Sequence, residues 1–262
     1  MLFMRVISWS MKIYGDIFSG NCFKVRLVCS FLDIRYDWVD LNVLEGDTKK
    51  KHFLSINPNG QVPVAVFSDG RKLTESNAIV NYLATGSKLM PSDTFQLAQL
   101  QQWQFFEQSS LQPYLASARF ILKRLGMPVE RKVEYYNNVH NAKRALKILD
   151  QHLLGATYIV GDQLTTADIC LYAYCHVLNE AGLEFSSYPF LSHWLKRIQA
   201  SPKYRGMWLI VATQNKDWLI LKYMSKYSYT DLESQYSSIL LWWLFLSASL
   251  PLWRAFFCLK ER

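Results

Sequence analysis

The stretch "FSGNCFK" places Ser19 and Cys22 three residues apart, after a short apolar run and before a segment with helical periodicity. With cysteine at both positions, this spacing would predict a dithiol redox motif. With serine first, Cys22 is the remaining thiol and has two interpretations. It could form a mixed disulfide with a small thiol. Alternatively it faces the core as a small apolar residue, which is the interpretation we favour.

A second group of residues is suited to binding a short peptide. Val62 precedes Pro63 at the start of a predicted strand. A cis bond there costs little and would turn the Val62 backbone outward, where an extended peptide could pair with it. Glu75 suits an ammonium group, whereas Ser76 and the free amides of a helix start suit a carboxylate. Together these residues predict a site for a peptide with an α-amino acid head.

The elements that position these residues form a βαβ unit followed by a hairpin and a helix. "MKIY" and "YDWVDL" have strand character and flank the helix-like "CFKVRLVCSFL". "SINPNGQVPVAVF" leads from a turn into a strand, and "GRKL" pairs with it after an Asp-Gly turn. "TESNAIVNYLA" predicts a helix that starts at a Ser or Thr cap. Residues 12–84 therefore predict β-α-β-(α)-β-β-α around an open sheet of about four strands.

After "GSKLMPSD" the pattern becomes helical. Residues 93–124 and 128–154 are both amphipathic. In the second segment we expect one buried face, with the apolar residues Val133, Tyr136, Val139, Leu146, Leu149 and Leu153. Further on, "LTTADI" predicts a capping box in which Asp168 reaches back to the amide of Thr165. We therefore assign Asp168 a structural role.

Composition narrows the class of protein. Half of the 262 residues are hydrophobic, which is enough for a globular core. The formal charge is +8, but the basic residues are scattered, so we expect solvated helix faces and no nucleic-acid partner. Five cysteines without metal-ligand spacing favour a reducing, cytoplasmic compartment and predict no metal site.

Four stretches give residues 11–205 a resemblance to glutathione transferases of the thioredoxin-fold type. These are "SGNCFKVRL", "NPNGQVP", "ESNAI" and "TTADI", and the first is similar to the "SGNC" turn of bacterial serine-type members. The resemblance implies an α/β thioredoxin-like N-terminal domain at residues 11–85 and an all-α C-terminal domain at residues 92–206. It also implies a homodimer with one glutathione site per subunit. Residues 1–10 are then an extension outside the family.

The resemblance also implies residue roles. Ser19 takes the place of the hydroxyl that activates the glutathione thiol, so it is the predicted catalytic residue. The predicted glutathione-binding residues are Lys49, Gln61, Val62, Pro63, Glu75 and Ser76. Lys49 and Gln61 would hold the glycyl carboxylate. Val62 would pair with the main chain of the cysteinyl residue, and Glu75 with Ser76 would hold the γ-glutamyl head.

Serine at position 19 suits a site that leaves the sulfur of its ligand free to attack. A hydroxyl at a helix N-terminus can donate to a bound sulfur anion, and the helix dipole favours that charge. We therefore expect conjugation of glutathione, as co-substrate and without a cofactor, to a small apolar electrophile. The second-substrate pocket is predicted at Phe106, Tyr114 and Arg119. The alternatives are a glutathione-dependent disulfide oxidoreductase, using Cys22 or bound glutathione, and a non-catalytic binding module.

Residues 207–262 lie beyond the resemblance and carry five of the nine tryptophans. Ser234–Trp253 is a run of twenty residues without a charge, long enough to cross a bilayer. Five serines and Pro251 lie within the run, and the basic residues after it would place the catalytic part outside the cell. We therefore do not expect a membrane anchor, and the structure of this tail stays open.

Overall fold

A mixed four-stranded sheet forms the first part of the protein. The computed structural model describes residues 11–207, which fall within one compact unit of the chain. The strands are β1 (Met11–Gly15), β2 (Asp37–Asp40), β3 (Val64–Phe67) and β4 (Lys72–Leu73). The sheet order is β2-β1-β3-β4, with β1 and β2 parallel and the other pairs antiparallel. The predicted extension at residues 1–10 and residues 208–262 of the tail lie outside the described residues.

Helices surround and follow the sheet. In the described part of the chain they are α1 (Gly20–Phe31), α2 (Lys51–Leu54), α3 (Ser76–Ala84), α4 (Thr94–Phe106), α5 (Gln112–Arg119), α6 (Lys132–His152), α7 (Thr166–Cys175) and α8 (Pro189–Gln199). Short π-helical segments, Glu107–Leu111 and Phe120–Arg124, continue α4 and α5. Between residues 85 and 207 there is no strand. The predicted fold class, an α/β thioredoxin-like part followed by an all-α part, is confirmed. Within residues 11–207 no helix has the length and apolar character needed to span a membrane.

Helix α1 packs between the sheet and the helical part. Its apolar residues, among them Val25 and Val28, are completely buried and belong to one core cluster that also includes Ile13 of β1 and Leu146 of α6. Gly20 allows the close approach of α1 to α7, because a Cβ there would lie 2.7 Å from the Tyr174 ring. The start of α1 is therefore held directly against the helical part.

The start of α3 corrects the prediction of a Ser or Thr cap. The N-cap residue is Glu75, whose side chain makes no capping hydrogen bond and whose φ is +66°. Strand β4 ends at Leu73, so the chain turns into α3 within two residues. Because Glu75 adopts the positive φ at this turn and is itself the N-cap residue, no Ser or Thr side chain caps α3.

The buried face of α6 also differs from the prediction. Val133 and Tyr136 are 73% and 63% exposed, whereas Tyr135 is buried. The buried stripe runs from Tyr135 through Ala142 to Leu146. Ala142 belongs to this stripe, although its small side chain gives only a weak apolar signal in the sequence. The prediction that Val133 and Tyr136 are buried is therefore wrong.

Asp168 joins three segments of the helical part. The predicted capping box is present: the Thr165 amide donates to Asp168 Oδ2 at 2.8 Å. The other oxygen, Oδ1, accepts from the Ile159 amide and from Trp194 Nε1, both at 2.9 Å. The carboxylate is completely buried. The capping box and these added contacts support the structural role assigned to Asp168.

We predict that Asp168→Asn lowers the free energy of unfolding by about 3 kcal/mol, because an amide nitrogen replaces an oxygen that accepts two hydrogen bonds. Urea unfolding measures this change. The control is Asp162→Asn, an exposed position in the preceding loop, which we expect to stay within about 0.5 kcal/mol of the parent. Equal stability of the two variants would contradict the structural role.

His176 at the end of α7 is a buried base. Its ring lies 4.9 Å from the centroids of both Phe23 and Tyr172, and it is stacked on the latter. Burial lowers the pKa of His176 from 6.5 to about 3. Between these pH values the unfolded chain binds a proton that the folded protein does not bind. Stability should therefore fall as the pH decreases through this range.

From pH 6.5 to pH 5 this group should remove about 2 kcal/mol of stability. The variant His176→Phe keeps a ring between Phe23 and Tyr172. In this variant we expect the loss of stability caused by His176 at acid pH to disappear. Urea unfolding at several pH values measures the slope. His193→Gln, at an exposed position, should keep the slope of the parent protein. A His176→Phe slope equal to the parent slope would contradict a buried neutral histidine.

Candidate active site

The turn before α1 holds Ser19 through backbone and carboxylate contacts. Asp16 Oδ1 accepts from the Phe18 amide at 2.8 Å, and Asp16 Oδ2 accepts from the Val43 amide at 3.1 Å. The Ser19 amide donates to the carbonyl of Asp16 at 3.0 Å. Ser19 is the N-cap of α1, and its half-buried hydroxyl accepts from the Cys22 amide at 3.3 Å. Sequence reasoning missed Asp16, although an aspartate three residues before a cap is a signal for such a turn.

A polar cavity of about 120 Å³ lies beside this turn. Five predicted binding residues line it: Gln61, Val62, Pro63, Glu75 and Ser76. The peptide bond between Val62 and Pro63 is cis. The structure therefore brings the strand start and the start of α3, which are separate in sequence, to one place.

Three asparagines that sequence reasoning did not assign also line the cavity. Asn57 and Asn59 come from the "NPNG" turn, and Asn21 from the first turn of α1. Asn57 Nδ2 donates to the Gln61 carbonyl at 2.8 Å, which fixes the loop that carries Gln61. Ser19 does not line the cavity itself, but Asn21 follows it by two residues. The "NPNG" motif signalled a turn, and no local pattern signalled that its side chains face a site.

Glu75 and Ser76 present the N-terminus of α3 to the cavity. Ser76 is 3% exposed, whereas Glu75 is exposed to solvent. Amides at a helix N-terminus favour a negatively charged ligand group. The Glu75 carboxylate supplies the opposite charge close by, so this part of the cavity can accommodate a zwitterionic head.

Lys49 reaches the loop next to the cavity. Its Nζ donates to the Gly60 carbonyl at 3.3 Å, one residue from Gln61. The neighbouring Lys50 instead pairs with Asp47 at 2.6 Å on the surface. Of these two adjacent lysines, Lys49 is therefore the one directed to the cavity side.

Cys22 lies in the core, as we predicted, and so do Cys29, Cys170 and Cys175. Burial raises the pKa of the Cys22 thiol to about 12. Very little thiolate is then present at pH 7. Within residues 11–207 no group of three or more His, Cys, Asp or Glu side chains is arranged to hold a metal ion.

The residues predicted for a second-substrate pocket do not line the cavity. Phe106 and Tyr114 are partly buried against the core. Arg119 is 7% exposed, and its guanidinium donates to Glu180 Oε2 at 2.6 Å and to the Phe18 carbonyl at 2.7 Å. Arg119 thus ties the helical part to the turn that carries Ser19, which favours a positioning role over that of a pocket wall.

The fold and the cavity define a class of protein with an α/β part that carries a polar cavity, followed by a helical part. Models of the glutathione S-transferase N-terminal and C-terminal domains match residues 9–85 and 108–202. The chain belongs to the glutathione S-transferase family. Among solved structures, a glutathione S-transferase from Pseudomonas fluorescens Pf-5 is 44% identical, with a TM-score of 0.74, over 75% of this chain and 98% of that one.

Two curated relatives differ in what they are named for. A glutathione S-transferase from Hyoscyamus muticus is 30% identical over 203 residues, 73% of this chain and 94% of that protein. Elongation factor 1-gamma from Artemia salina is 32% identical over 175 residues, 65% of this chain but only 40% of that protein. The family therefore includes members of both kinds.

We predict a difference between two variants at the strained N-cap residue. Glycine tolerates a positive φ, so Glu75→Gly should be about 1 kcal/mol more stable than Glu75→Ala, although both lose the same carboxylate. Urea unfolding of the pair measures this. The matched control is Ala78→Gly at an exposed position within α3, where glycine should cost about 1 kcal/mol. If glycine at position 75 were also the less stable variant, the backbone there would not be strained.

Proposed function

We propose that this protein is a glutathione transferase that conjugates the glutathione thiolate to a small apolar electrophile. The observation that carries the proposal is the convergence of Gln61, Pro63, Glu75 and Ser76 in one cavity beside the turn of Ser19. An extended backbone segment, an ammonium-binding carboxylate and a helix N-terminus are the groups that a short peptide with an α-amino acid head requires. Lys49 adds a positive charge on the side of Gln61 that suits the glycyl carboxylate.

Ser19 is the proposed catalytic residue. Its oxygen accepts from the Cys22 amide. Its O–H group can rotate away from the neutral Cys22 thiol, a weak acceptor, and donate a hydrogen bond to a bound sulfur anion. A free thiol with a pKa of about 8.5 is about 3% ionised at pH 7. Lowering that value by about two units gives about three-quarters thiolate, which is most of the activation that conjugation needs.

Two alternatives differ in chemistry. A disulfide oxidoreductase that uses Cys22 is disfavoured, because that thiol is completely buried with a raised pKa. An oxidoreductase that uses the thiol of bound glutathione is the remaining form of this alternative. The similarity to elongation factor 1-gamma is the observation that supports the second alternative, a non-catalytic module.

We also propose a cytoplasmic homodimer. Large apolar side chains are exposed on the helical part, with Phe105, Val133 and Tyr136 all more than 60% exposed. In the proposed homodimer, the second subunit covers these side chains.

The second-substrate pocket, with Phe106, Tyr114 and Arg119 as its predicted residues, belongs to the proposed function as well. The contacts of Arg119 with Glu180 and Phe18 favour a positioning role for it there.

We predict that glutathione at 100 times its Kd stabilises the full chain by about 2.7 kcal/mol, seen as a rise in melting temperature. Ser19→Ala should lower kcat/KM for conjugation of an aromatic halide at pH 7 by up to about 25-fold, which is the ratio between about three-quarters and about 3% thiolate. Cys22→Ala should retain most of the conjugating activity per folded molecule, because its thiol is not the nucleophile. Thermal shift and steady-state kinetics measure these effects.

Three outcomes would count against the proposal in different ways. No rise in melting temperature with millimolar glutathione would show that the chain does not bind it. Binding with no conjugation, and fast turnover of a disulfide substrate, would support the oxidoreductase. An unchanged Ser19→Ala would remove Ser19 from catalysis and leave Asn21, which lines the cavity, as the candidate donor to sulfur.

A further inference from the structure

A completely buried ion pair lies behind the cavity. Lys24 Nζ on α1 is 2.7 Å from Glu107 Oε2, and both side chains have 0% exposure. Glu107 begins the π-helical segment after α4. Its second oxygen, Oε1, is buried without a hydrogen-bond partner among the described residues. Because burying two charges and leaving an acceptor unpaired costs stability, the pair is poorly explained as a stabilising contact alone.

The Lys24 ammonium reaches the cavity wall through Ser76. Besides Glu107, Lys24 Nζ donates to Asn77 Oδ1 at 3.0 Å and to Ser76 Oγ at 3.3 Å. An ammonium group has three protons and no acceptor, so Ser76 must accept this bond. Ser76 in turn donates its proton to Asn21 Oδ1 at 3.1 Å. A continuous chain of hydrogen bonds therefore leads from Glu107 to Asn21.

This chain orients the Asn21 amide. The positive charge below Ser76 favours the carbonyl end of Asn21 on that side. The nitrogen, Asn21 Nδ2, has no hydrogen-bond acceptor within residues 11–207, and Asn21 lines the cavity. An oriented amide N–H is a donor that an anion can use without reorganising the site.

We propose that Lys24 and Glu107 are positioning residues which, through Ser76, hold Asn21 so that its amide donates to the sulfur anion of glutathione in the cavity. This inference rests on the proposed function. Ser19 and Asn21 then act as two donors from the same turn of α1. The role of the pair is to fix a donor, and neither charged group lines the cavity.

Three titratable groups of α7 near the pair are neutral at pH 7. Burial raises the pKa of Tyr174 and of Cys175, and it raises the pKa of Cys170 to about 12. The Tyr174 ring lies 5.4 Å from Lys24 Nζ. Burial raises the pKa of Glu107 too, while Lys24 opposes that shift. On the cavity side, the acidic residue Glu75 lines the same cavity as Asn21.

The test measures the pKa of the thiol of bound glutathione, from the ultraviolet absorbance of the thiolate at saturating glutathione across a range of pH. Lys24→Met and Glu107→Gln are made together, so that no lone charge is left buried. Loss of one oriented hydrogen bond should raise the bound thiol pKa by about one unit, a tenfold loss of thiolate on the acid side. Arg131→Met with Glu134→Gln removes a surface pair as the control and should leave the value unchanged.

A second step tests whether the pair acts through Asn21. Asn21→Ala should raise the bound thiol pKa by a similar amount. Adding the Lys24 and Glu107 changes to Asn21→Ala should then have no further effect. Additive shifts would overturn the proposal, because the pair would be acting on the sulfur by another route.

If the paired variant does not fold, Ser76→Ala breaks the same chain without a change of charge. Ser76→Ala should raise the pKa of the bound thiol by about one unit. Combined with Asn21→Ala, it should add no further shift. Absence of the one-unit shift overturns the proposal. A parent protein that binds and ionises glutathione, but does not respond to any of these changes, overturns this inference alone. A parent protein with no glutathione-dependent rise in melting temperature overturns the proposed function as well.

Discussion

The buried ammonium of Lys24 must be neutralised and hydrogen-bonded. The contact between the α/β part and the helical part of the protein depends on this requirement. A charge removed from water must be neutralised and its protons must find acceptors. The carboxylate comes from Glu107 of the helical part, and the remaining acceptors come from Ser76 and Asn77 of α3. Three segments that are distant in sequence are thereby held in one arrangement. Two of these segments, α1 and α3, also contribute Asn21 and Ser76 to the wall of the cavity.

A seam of amide side chains extends this arrangement along α3. Asn81 and Gln104 exchange two hydrogen bonds of 2.8 Å, and Thr166 donates to Asn81 Oδ1 at 2.9 Å. Apolar contacts between helices tolerate small rotations, whereas these directional contacts do not. Arg119 of the helical part fixes the turn before α1 through a hydrogen bond to the Phe18 carbonyl. The helical part therefore acts on the site as a rigid support.

Local patterns predicted the features of the site and of the helical part whose contacts lie within a few residues. The turn before Pro63, the cap at Ser19 and the capping box at Asp168 are each written in a short stretch. The apolar pattern failed where packing against residues distant in sequence determines which side chains are buried. It placed Val133 and Tyr136 on the buried face, although the packing of α6 leaves them exposed.

The sequence by itself determined the order of elements, the fold class and, in part through the family resemblance, five of the eight residues that line the cavity. It did so because turn chemistry, capping and apolar periodicity act over short separations. Only the tertiary structure decided which polar side chains meet. Asn21 and Ser76 are 55 residues apart, and Lys24 and Glu107 are 83 apart. No local propensity encodes such contacts, because each becomes favourable only after folding has removed both partners from water.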